Sequence, residues 1–395
     1  MMIKPGFYYV GVQDPQLRHF DIIMHTPYGT SYNAYVYTHG NTSVLFDTVK
    51  HGFIKPYFEQ IESTVDTDTI KYLIVSHSEP DHAGSIQAVL DRYPTITLVM
   101  SMVAYNFVKN QLNHDFNHII VKDHDTLDID GSTIEFYSVP NLHWPDTIYS
   151  YIHDIHTLVT CDSFGAHYSF DGLLKSKLED TIGYQAALDY YTTMIMGPFK
   201  PFILKAMDKI SGLTIDCIAP GHGPVLDQDI EQTIDYYKTF ASSTNHNHEV
   251  LIAYVSCYGY TKKIAELLEH TIASTGLTTH LIDLEYANMD ETIQLAKDCD
   301  AILYGSPTIL NDALPPIYTL INSIIPGYDG TKVCSAFGSY GWSGEAVGHI
   351  ITRLKQQRHR VIDNGLKICF APSDSDIETI KTYGLTIANE VKKIQ

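Results

Sequence analysis

The segment from His77 to His82 reads H-S-E-P-D-H and places four potential metal ligands within six positions. Imidazole nitrogens and carboxylate oxygens are ligands that first-row transition metals accept. A short apolar, β-branched run at 71–76 precedes the segment and predicts a buried strand. Apolar residues at helical spacing between 86 and 93 follow it and predict a helix with one core face. We therefore expect the ligands on a strand-to-helix loop that is held rigid on both sides.

Pro80 affects the shape of this loop. A proline disfavours the helical conformation at the residue before it, here Glu79, so we expect an extended loop whose alternate side chains spread around more than one ion. The alternative is a solvated polar turn capped by Asp81 or Ser85. A single His–Glu pair would favour that alternative, whereas four ligands so close together favour metal binding.

The first 247 residues are rich in predicted strands. Strands are expected at 7–13, 30–38, 43–48, 71–76, 95–100, 118–122, 133–139, 147–152, 157–162 and 216–219. Helices are expected at 51–61, 86–93, 103–112 and 182–210, the last broken at Gly197-Pro198. Mixed strands with helices outside indicate a two-sheet αββα sandwich.

Three further ligand-type residues occur at or after strand ends in this half. His143 follows a strand in P-N-L-H-W-P-D, Asp162 ends another, and His222 lies between two glycines directly after a third. Each has a simple alternative reading, because the chain contains 20 histidines and such residues are common in turns. Together with the cluster they supply seven nitrogen or oxygen ligands and no cysteine. That set is enough for two ions, and a carboxylate such as Asp162 can bridge them.

Composition narrows the classes of function. A chain of 395 residues with 44% hydrophobic residues is long enough for two domains with real cores. Its net charge of −20 argues against nucleic acid or an anionic membrane as a partner. No run of 18 apolar residues occurs, and the first residues do not form a signal peptide. The six cysteines are scattered without a C-x-x-C pair, which favours a reducing cytoplasm and excludes a built-in rubredoxin-type or iron–sulfur module.

The second predicted domain, 248–395, follows a polar linker at 242–248. A buried strand is expected at 251–255, and an amphipathic helix begins soon after it. Between them lies S-C-Y-G-Y-T, residues 256–261. A hydroxyl-rich turn with a glycine at a helix N-terminus can cradle a phosphate through backbone N–H groups, although an ordinary capped helix start is the alternative.

Two more strands in this half end in loops that suit a ligand. The strand at 301–304 leads into G-S-P-T, and the strand at 333–337 leads into G-S-Y-G-W-S-G at 338–344. A strand at 366–370 and a final helix at 376–393 complete the alternation. Strand–helix units with polar loops at the carboxyl ends of the strands are typical of a flavodoxin-like sheet, which binds its ligand at the switch point.

These motifs resemble those of the flavodiiron proteins, or A-type flavoproteins, along the whole chain. H-S-E-P-D-H, N-L-H-W-P-D, C-D-S-F and P-G-H-G-P are similar to the metal motifs of that family, whose first domain has the metallo-β-lactamase fold. Hydrolases of this fold use H-x-H-x-D-H, and this chain has Glu79 where they have the second histidine. A harder, anionic ligand favours iron over zinc. The resemblance implies that His77, Glu79 and His143 hold one iron, that Asp81 and His222 hold the other, and that Asp162 bridges them. It leaves open whether His82 is a direct ligand.

The resemblance also implies three FMN-binding loops, which share strand-end positions. The first is Ser256, Cys257, Tyr258, Gly259, Tyr260 and Thr261, of which Ser256, Gly259, Tyr260 and Thr261 would hold the phosphate. The other two, expected to wall the isoalloxazine, are Ser306, Pro307, Thr308 and Asn311, and then Ser339, Tyr340, Gly341, Trp342, Ser343 and Gly344. Trp342 has a core position as its alternative reading.

The activity implied by the resemblance is that of a flavodiiron oxidoreductase. FMN would pass electrons to a di-iron centre that reduces O₂ to water, nitric oxide to nitrous oxide, or both. A separate donor, either rubredoxin-like or an NAD(P)H-linked reductase, is implied, as is a head-to-tail homodimer or a dimer of such dimers. His25 would lie in the pocket wall and tune the choice of gas, unless it is an ordinary surface histidine. The rival functions are a hydrolase fused to a flavodoxin domain and a non-catalytic FMN electron carrier.

Overall fold

The architecture was determined from a computed structural model that describes residues 1–243 and 246–394, apart from the side chain of Tyr328. The chain divides into two compact units, Met1–Ser243 and Thr244–Gln395. Our boundary between 247 and 248 stays a prediction, because residues 244 and 245 of the expected linker lie outside the described residues.

The first unit contains two large sheets. Its strands are β1 (Met2–Lys4), β2 (Phe7–Tyr9), β3 (Val12–Asp14), β4 (His19–Phe20), β5 (Met24–His25), β6 (Thr30–Tyr32), β7 (Tyr35–His39), β8 (Thr42–Phe46), β9 (Ile70–Ile74), β10 (Thr97–Met100), β11 (His118–Ile120), β12 (Thr126–Ile129), β13 (Ser132–Ser138), β14 (Ile148–Ile152), β15 (Thr157–Cys161) and β16 (Cys217–Pro220). One sheet has the order β1-β2-β7-β8-β9-β10-β11 and the other β12-β13-β14-β15-β16. Two small ribbons, β3-β6 and β4-β5, accompany them.

Helices cover the outer faces of both sheets. They are α1 (Ile54–Thr64), α2 (Pro80–Ala83), α3 (Ile86–Arg92), α4 (Met102–Leu112), α5 (Thr181–Tyr191), α6 (Lys200–Ile210) and α7 (Ile230–Ser242). Neighbouring residues of one strand enter different cores. Ile74 and Val159 pack in a cluster formed by strands and loops alone, whereas Leu73 and Leu158 pack in a cluster that includes helix residues. Strands buried on both faces explain the continuous apolar runs, and the predicted αββα sandwich is confirmed.

Several predicted elements differ in detail. The expected strands at 7–13 and 30–38 are each divided in two, because a Cβ on Gly11 would lie 2.5 Å from the Tyr32 carbonyl oxygen and the two backbones cross closely there. The expected break within 182–210 is present as a π-helical turn, Thr192–Met196, and a 3₁₀ turn, Gly197–Phe199. We did not predict β12 or α7.

The break between β6 and β7 has a structural role. Asn33 lies in it, is buried, and donates from its Nδ2 to the carbonyl oxygens of Pro220 at 2.8 Å and Gly223 at 2.9 Å. Its backbone N–H donates to the Gly221 carbonyl oxygen at 2.8 Å. Because these carbonyls flank His222, Asn33 fixes the loop that carries this expected metal ligand.

The second unit is a parallel sheet with helices on both faces. Its strands are β17 (Glu249–Tyr254), β18 (Thr278–Asp283), β19 (Ala301–Gly305), β20 (Val333–Tyr340), β21 (Arg360–Val361) and β22 (Leu366–Cys369). Its helices are α8 (Tyr260–Ala273), α9 (Met289–Asp298), α10 (Pro315–Ser323), α11 (Pro326–Asp329), α12 (Glu345–Gln356) and α13 (Asp374–Val391). The order is β18-β17-β19-β20, and β21 and β22 both pair with β20. This is the predicted flavodoxin-like arrangement, with its switch point between β17 and β19.

In the described parts of both units, every helix is too short or too polar to cross a membrane.

Replacing Asn33 tests the link between the strand break and the His222 loop. Asn33→Ala removes the amide donor from two buried carbonyls, although the Pro220 carbonyl keeps its bond from the Tyr35 hydroxyl at 2.6 Å, so the free energy of unfolding should fall by about 1–3 kcal/mol. Asn33→Asp should cost at least as much, because it places a carboxylate against two carbonyl oxygens. Chemical denaturation measures both variants.

The matched control is Asn110→Ala, which removes one exposed bond to the Asn106 carbonyl and should change stability by less than about 0.5 kcal/mol. Equal stabilities of Asn33→Ala and the control would contradict the role of Asn33.

Candidate functional site

The loop after β9 presents the first group of expected ligands. Its backbone is held by two carboxylates, since Ser76 N–H donates to Asp47 Oδ1 at 2.7 Å and Ser78 N–H donates to Asp146 Oδ2 at 2.9 Å. Glu79 is extended, with φ −60° and ψ 136°, as expected for a residue before proline. The expectation that the whole loop is extended is wrong. Pro80 has the fixed φ that suits a first helical position, and it begins the single helical turn α2.

The expected ligands converge as two groups. Ligand atoms of His77, Glu79, His143 and Asp162 lie within 4.8 Å of one another, and so do those of Asp81, His82 and His222. Asp162 faces both groups. Its Oδ2 lies 2.9 Å from His143 Nε2, and its Oδ1 lies 3.0 Å from His82 Nε2. A carboxylate with one oxygen towards each group has the arrangement that bridging requires.

The burial of this centre leaves polar atoms without partners. Both carboxylate oxygens of Asp81 and the Oδ1 of Asp162 are buried and make no hydrogen bond within the described residues. Unpaired buried polar atoms are costly, so each of these oxygens needs a partner that the chain does not supply. A metal ion is such a partner, and the residues present therefore fit a metal centre.

His222 shows how a surrounding residue orients a ligand. Its Nδ1 lies 2.6 Å from the carbonyl oxygen of Ser31, and because a carbonyl only accepts, Nδ1 carries the proton. The lone pair is then on Nε2, which lies 3.2 Å from Asp81 Oδ2. This is the tautomer that a metal ligand needs.

Charges within the centre compensate one another. Burial by itself would lower the pKa of His82, but Asp81 and Asp162 outweigh burial and raise it to about 10. Burial would likewise lower the pKa of His143, and the hydrogen bonds that its ring donates to Asp162 and Glu79 raise it to about 10. Burial opposes ionisation of Asp162, yet His77 and His82 hold the pKa of this carboxyl well below its usual range. The carboxylates thus demand nearby positive charge, which bound cations can supply in place of protons.

Sequence reasoning missed two buried neighbours of the centre. Cys161 lies beside His77, His82 and Asp162, and burial together with the charge of Asp47 raises the pKa of its thiol well above the usual range. His167 is bonded to the Thr30 hydroxyl at 2.9 Å, and burial followed by the charge of His222 lowers its pKa well below the usual range. Thr30 and His167 are 137 positions apart, so no local pattern indicates their contact.

His25 ends β5 and is exposed. It lines a cavity of about 260 Å³ together with Tyr28, His167 and Tyr190. The His167 ring centroid lies 4.9 Å from that of His222, so this cavity reaches the neighbourhood of the second ligand group. The expected effect of His25 on the choice of gas stays a prediction.

A second cavity, of about 490 Å³, lies in the second unit at the carboxyl ends of the strands. Residues of all three expected loops line it, namely Tyr258, Tyr260, Pro307, Thr308, Asn311, Ser339, Tyr340, Gly341, Trp342 and Ser343. Trp342 is 96% exposed, so its alternative reading as a core residue is wrong.

The remaining expected FMN residues surround this cavity without lining it. Gly259 has φ +82° and precedes α8, and Gly344 has φ +77° and precedes α12. The hydroxyls of Thr261 and Ser339 are 2.8 Å apart and join the first loop to the third. Ser256 accepts from the Lys262 N–H, Ser306 accepts from the Leu314 N–H, and Cys257 is exposed. Their binding roles stay predictions.

Phe370 is a cavity residue that the three loops do not include. It follows β22 with φ +54°, a strained conformation for a large side chain. A Cβ on Gly341 would lie 2.7 Å from the Phe370 Cζ, so the aromatic ring rests directly on that glycine. The centroid of the Phe370 ring also lies 6.0 Å from that of the Tyr260 ring. Phe370 therefore supports both the first and the third loop.

The chain is similar to known proteins in both of its units. Over 399 aligned residues the chain is 36% identical to the flavo-diiron protein FprA2 of Clostridium acetobutylicum, covering 98% of this chain and 99% of that protein. The chain belongs to the flavo-diiron protein family. Residues 30–223 match the family described as ODP family beta lactamase, and residues 252–383 match Flavodoxin. Both halves of the predicted fold are thus confirmed.

Two other known proteins are similar to this chain over nearly its whole length. A protein of Moorella thermoacetica named nitric oxide reductase is 30% identical over 98% of both chains. The solved structure of rubredoxin oxygen:oxidoreductase from Desulfovibrio gigas is 28% identical to this chain with a TM-score of 0.71, and the alignment covers 99% of this chain and 98% of that chain. Neither of our rival functions gains support from these relatives.

Replacing Asp162 tests the bridging arrangement. Asp162→Asn keeps the size of the side chain but offers one oxygen and an amide, so it cannot join two metal ions through a carboxylate. We expect loss of at least one of the two ions with FMN content unchanged, because the two sites lie in separate units. Elemental analysis for iron and flavin absorbance measure both.

The control is Asp208→Asn on the exposed face of α6, which should keep the full iron content. A folded Asp162→Asn protein with as much iron as the control would disprove the bridge.

Replacing Phe370 tests its support of the flavin loops. Phe370→Ala removes the ring under Gly341, and FMN affinity should fall about tenfold, which corresponds to about 1.4 kcal/mol. Quenching of flavin fluorescence on adding FMN to the apoprotein measures the change. Tyr286→Ala is the control, since this 80% exposed aromatic does not line the cavity and should leave affinity unchanged.

Proposed function

We propose that the protein is a flavodiiron oxidoreductase, in which FMN takes electrons from a separate donor and a di-iron centre uses them to reduce O₂ to water, nitric oxide to nitrous oxide, or both. The observation that carries this proposal is the set of seven ligands formed by Asp162 and the six side chains around it, all of them buried except the half-buried His143. Three carboxylates and four imidazoles form a hard ligand set that favours iron. The names of the relatives include both a nitric oxide reductase and an oxygen oxidoreductase, so both gases belong to the proposal.

The two ligand groups support an assignment for each iron. We assign His77, Glu79 and His143 to one iron and Asp81, His82 and His222 to the other, with Asp162 as the bridge. The Nε2 of His82 lies 3.3 Å from Asp81 Oδ2 and 3.1 Å from His222 Nε2, which supports placing it in the second set.

Residues around the ligands hold them without touching the metal. Ser31 fixes the proton on His222 Nδ1, and Asn33 holds the backbone on both sides of this histidine. Asp47 and Asp146 hold the loop that carries His77 and Glu79. These contacts fix the backbone and the ring orientation of the ligands, so metal binding would need little rearrangement.

The start of α8 supports a phosphate site in the second unit. The first N–H groups of a helix have no intrahelical partner and attract anions. Gly259 adopts the left-handed conformation, and a Cβ placed there would have no heavy atom of the described residues within 4 Å, which leaves room at this turn. Ser256 and Thr261 lie on either side of the turn and would add hydroxyl donors. Pro307, Thr308, Asn311 and Trp342 would then wall the isoalloxazine.

Exposed apolar residues support a head-to-tail homodimer, alone or as a dimer of dimers. Leu310 and Trp342, 94% and 96% exposed, border the flavin cavity. In the first unit, Ile22 is 90% exposed and lies in the β4–β5 hairpin that ends at His25. Ile182 is 84% exposed and lies in α5, the helix that lines the cavity beside His25. Large exposed apolar side chains mark interaction surfaces. Pairing the flavin rim of one chain with the metal-site rim of another would bury both.

The electron donor is a separate rubredoxin-like protein or an NAD(P)H-linked reductase in this proposal. The net charge of −20 favours a donor with a basic docking surface and disfavours nucleic acid or an anionic membrane as a partner. All six cysteines are free thiols, which supports a reducing cytoplasm.

Gas consumption by the reduced protein tests the activity. The iron- and FMN-loaded protein is reduced without air, and O₂ and nitric oxide are then added in separate electrode assays. We expect consumption of at least one gas, and consumption of neither by fully loaded protein would contradict the proposed function. Asp162→Asn should be inactive with both gases, whereas Asp208→Asn should match the unchanged protein.

Complementation between chains tests the head-to-tail dimer. An iron-deficient Asp162→Asn chain is mixed with an FMN-deficient chain carrying Ser256→Ala and Thr261→Ala, under conditions that exchange subunits. The mixed dimer contains one complete flavin–iron pair across the interface, so partial activity should return. A silent mixture with proven subunit exchange would show that the two cofactors must belong to the same chain.

A further inference from the structure

A second group of metal-ligand side chains lies in the flavodoxin-like unit, near the amino ends of its strands. Glu249 is the first residue of β17, His280 is the third of β18, and Cys299 follows α9. Their ligand atoms all lie within 4.8 Å of one another, and His280 Nε2 is 2.9 Å from Glu249 Oε2. The expected flavin loops are at the opposite ends of these strands.

Strand register explains why the three side chains meet. His280 pairs with Leu251 in the parallel β17–β18 ladder, so their side chains point to the same face. Glu249 is two residues before Leu251 and shares that face. Cys299 packs in the same core cluster as Leu251, and the adjacent Asp300 N–H donates to the Glu249 carbonyl oxygen at 3.1 Å. Three separate elements therefore deliver one ligand each to one place.

The three side chains differ in exposure to solvent. Cys299 is a free, fully buried thiol. Glu249 and His280 keep 28% and 30% of their side chains exposed, which leaves a path for an ion from solvent.

Nearby charge favours a cation. Glu249, Asp298 and Asp300 bring negative charge to Cys299, and Lys332 is the opposing amine. The Lys332 Nζ donates to the Lys297 carbonyl oxygen, so it is directed to the backbone. A divalent cation would reduce the repulsion among the carboxylates and replace the proton on the thiol.

We propose that Glu249, His280 and Cys299 bind one Zn²⁺ ion, or another divalent cation that accepts nitrogen and sulfur ligands, with water at the fourth position. This site is distinct from the di-iron centre, whose assigned ligands are nitrogen and oxygen atoms of the first unit. The ion would join β17, β18 and the end of α9, and so stabilise the flavodoxin-like unit at its first strand.

Cobalt(II) is the probe for this site, because a thiolate bound to it gives a near-ultraviolet charge-transfer band that nitrogen and oxygen ligands do not. The protein is used with its iron and FMN in place, and iron analysis before and after the titration confirms that cobalt has not replaced iron. We expect one cobalt ion per chain with this band, and Zn²⁺ should remove the band by competition. Absence of the band with cobalt in excess would overturn the proposal.

Variants assign the band to these residues. Cys299→Ser should abolish it, and His280→Ala, at a partly exposed strand position, should weaken cobalt binding at least tenfold. Cys334→Ser is the control, because it removes another fully buried thiol, from strand β20 of the same unit, and should keep the band. A band that survives in folded Cys299→Ser or is unchanged in His280→Ala would place the thiolate elsewhere and refute the site.

Discussion

The carboxylate of Asp162 lies between two groups of imidazoles, with one oxygen directed to each, and the rest of the first unit depends on this contact. Three carboxylates and four histidines lie within a few ångströms of their neighbours. Because six of these side chains are buried and His143 is half-buried, water screens their charges only weakly. Such a set is stable only when positive charge balances the carboxylates, either as protons on the imidazoles or as bound cations. The same balance explains the affinity for metal and the nearly complete burial of the ligands.

The surrounding residues keep these charged side chains together by binding the backbone of the loops that carry them. Strands buried on both faces end at the centre, and the loops that leave them are fastened by side chains from distant parts of the chain. Asp47 and Asp146 bind the backbone of the 76–78 segment, and Asn33 binds the backbone around His222. In the second unit the Thr261–Ser339 contact and the Phe370 ring join separate loops in the same manner. Both sites are therefore products of long-range contacts that hold short polar loops.

The sequence predicted those features that local chemistry determines. The αββα sandwich and the flavodoxin-like order follow from apolar runs that suit doubly buried strands and from the alternation of strands and helices. The dense motifs indicated the side chains that the first unit brings together around Asp162. The sequence did not predict the features that depend on contacts between residues far apart in the chain. The division of the strand near Gly11 depends on the close approach of Tyr32, and the place of His167 depends on Thr30. The helical turn at Pro80 shows a conflict between two local rules, since proline both extends the residue before it and starts a helix at its own position.

Anomalous diffraction at the iron edge, from crystals of the iron-loaded protein, would show whether Asp162 joins two metal ions. We expect two iron peaks in each chain, one bound to each carboxylate oxygen of Asp162. Each iron–oxygen distance should be about 2.0–2.2 Å, the range of metal–carboxylate bonds. One peak should be ligated by His77, Glu79 and His143, and the other by Asp81, His82 and His222. A single peak, or two peaks of which only one contacts Asp162, would contradict the shared carboxylate on which this account of the site rests.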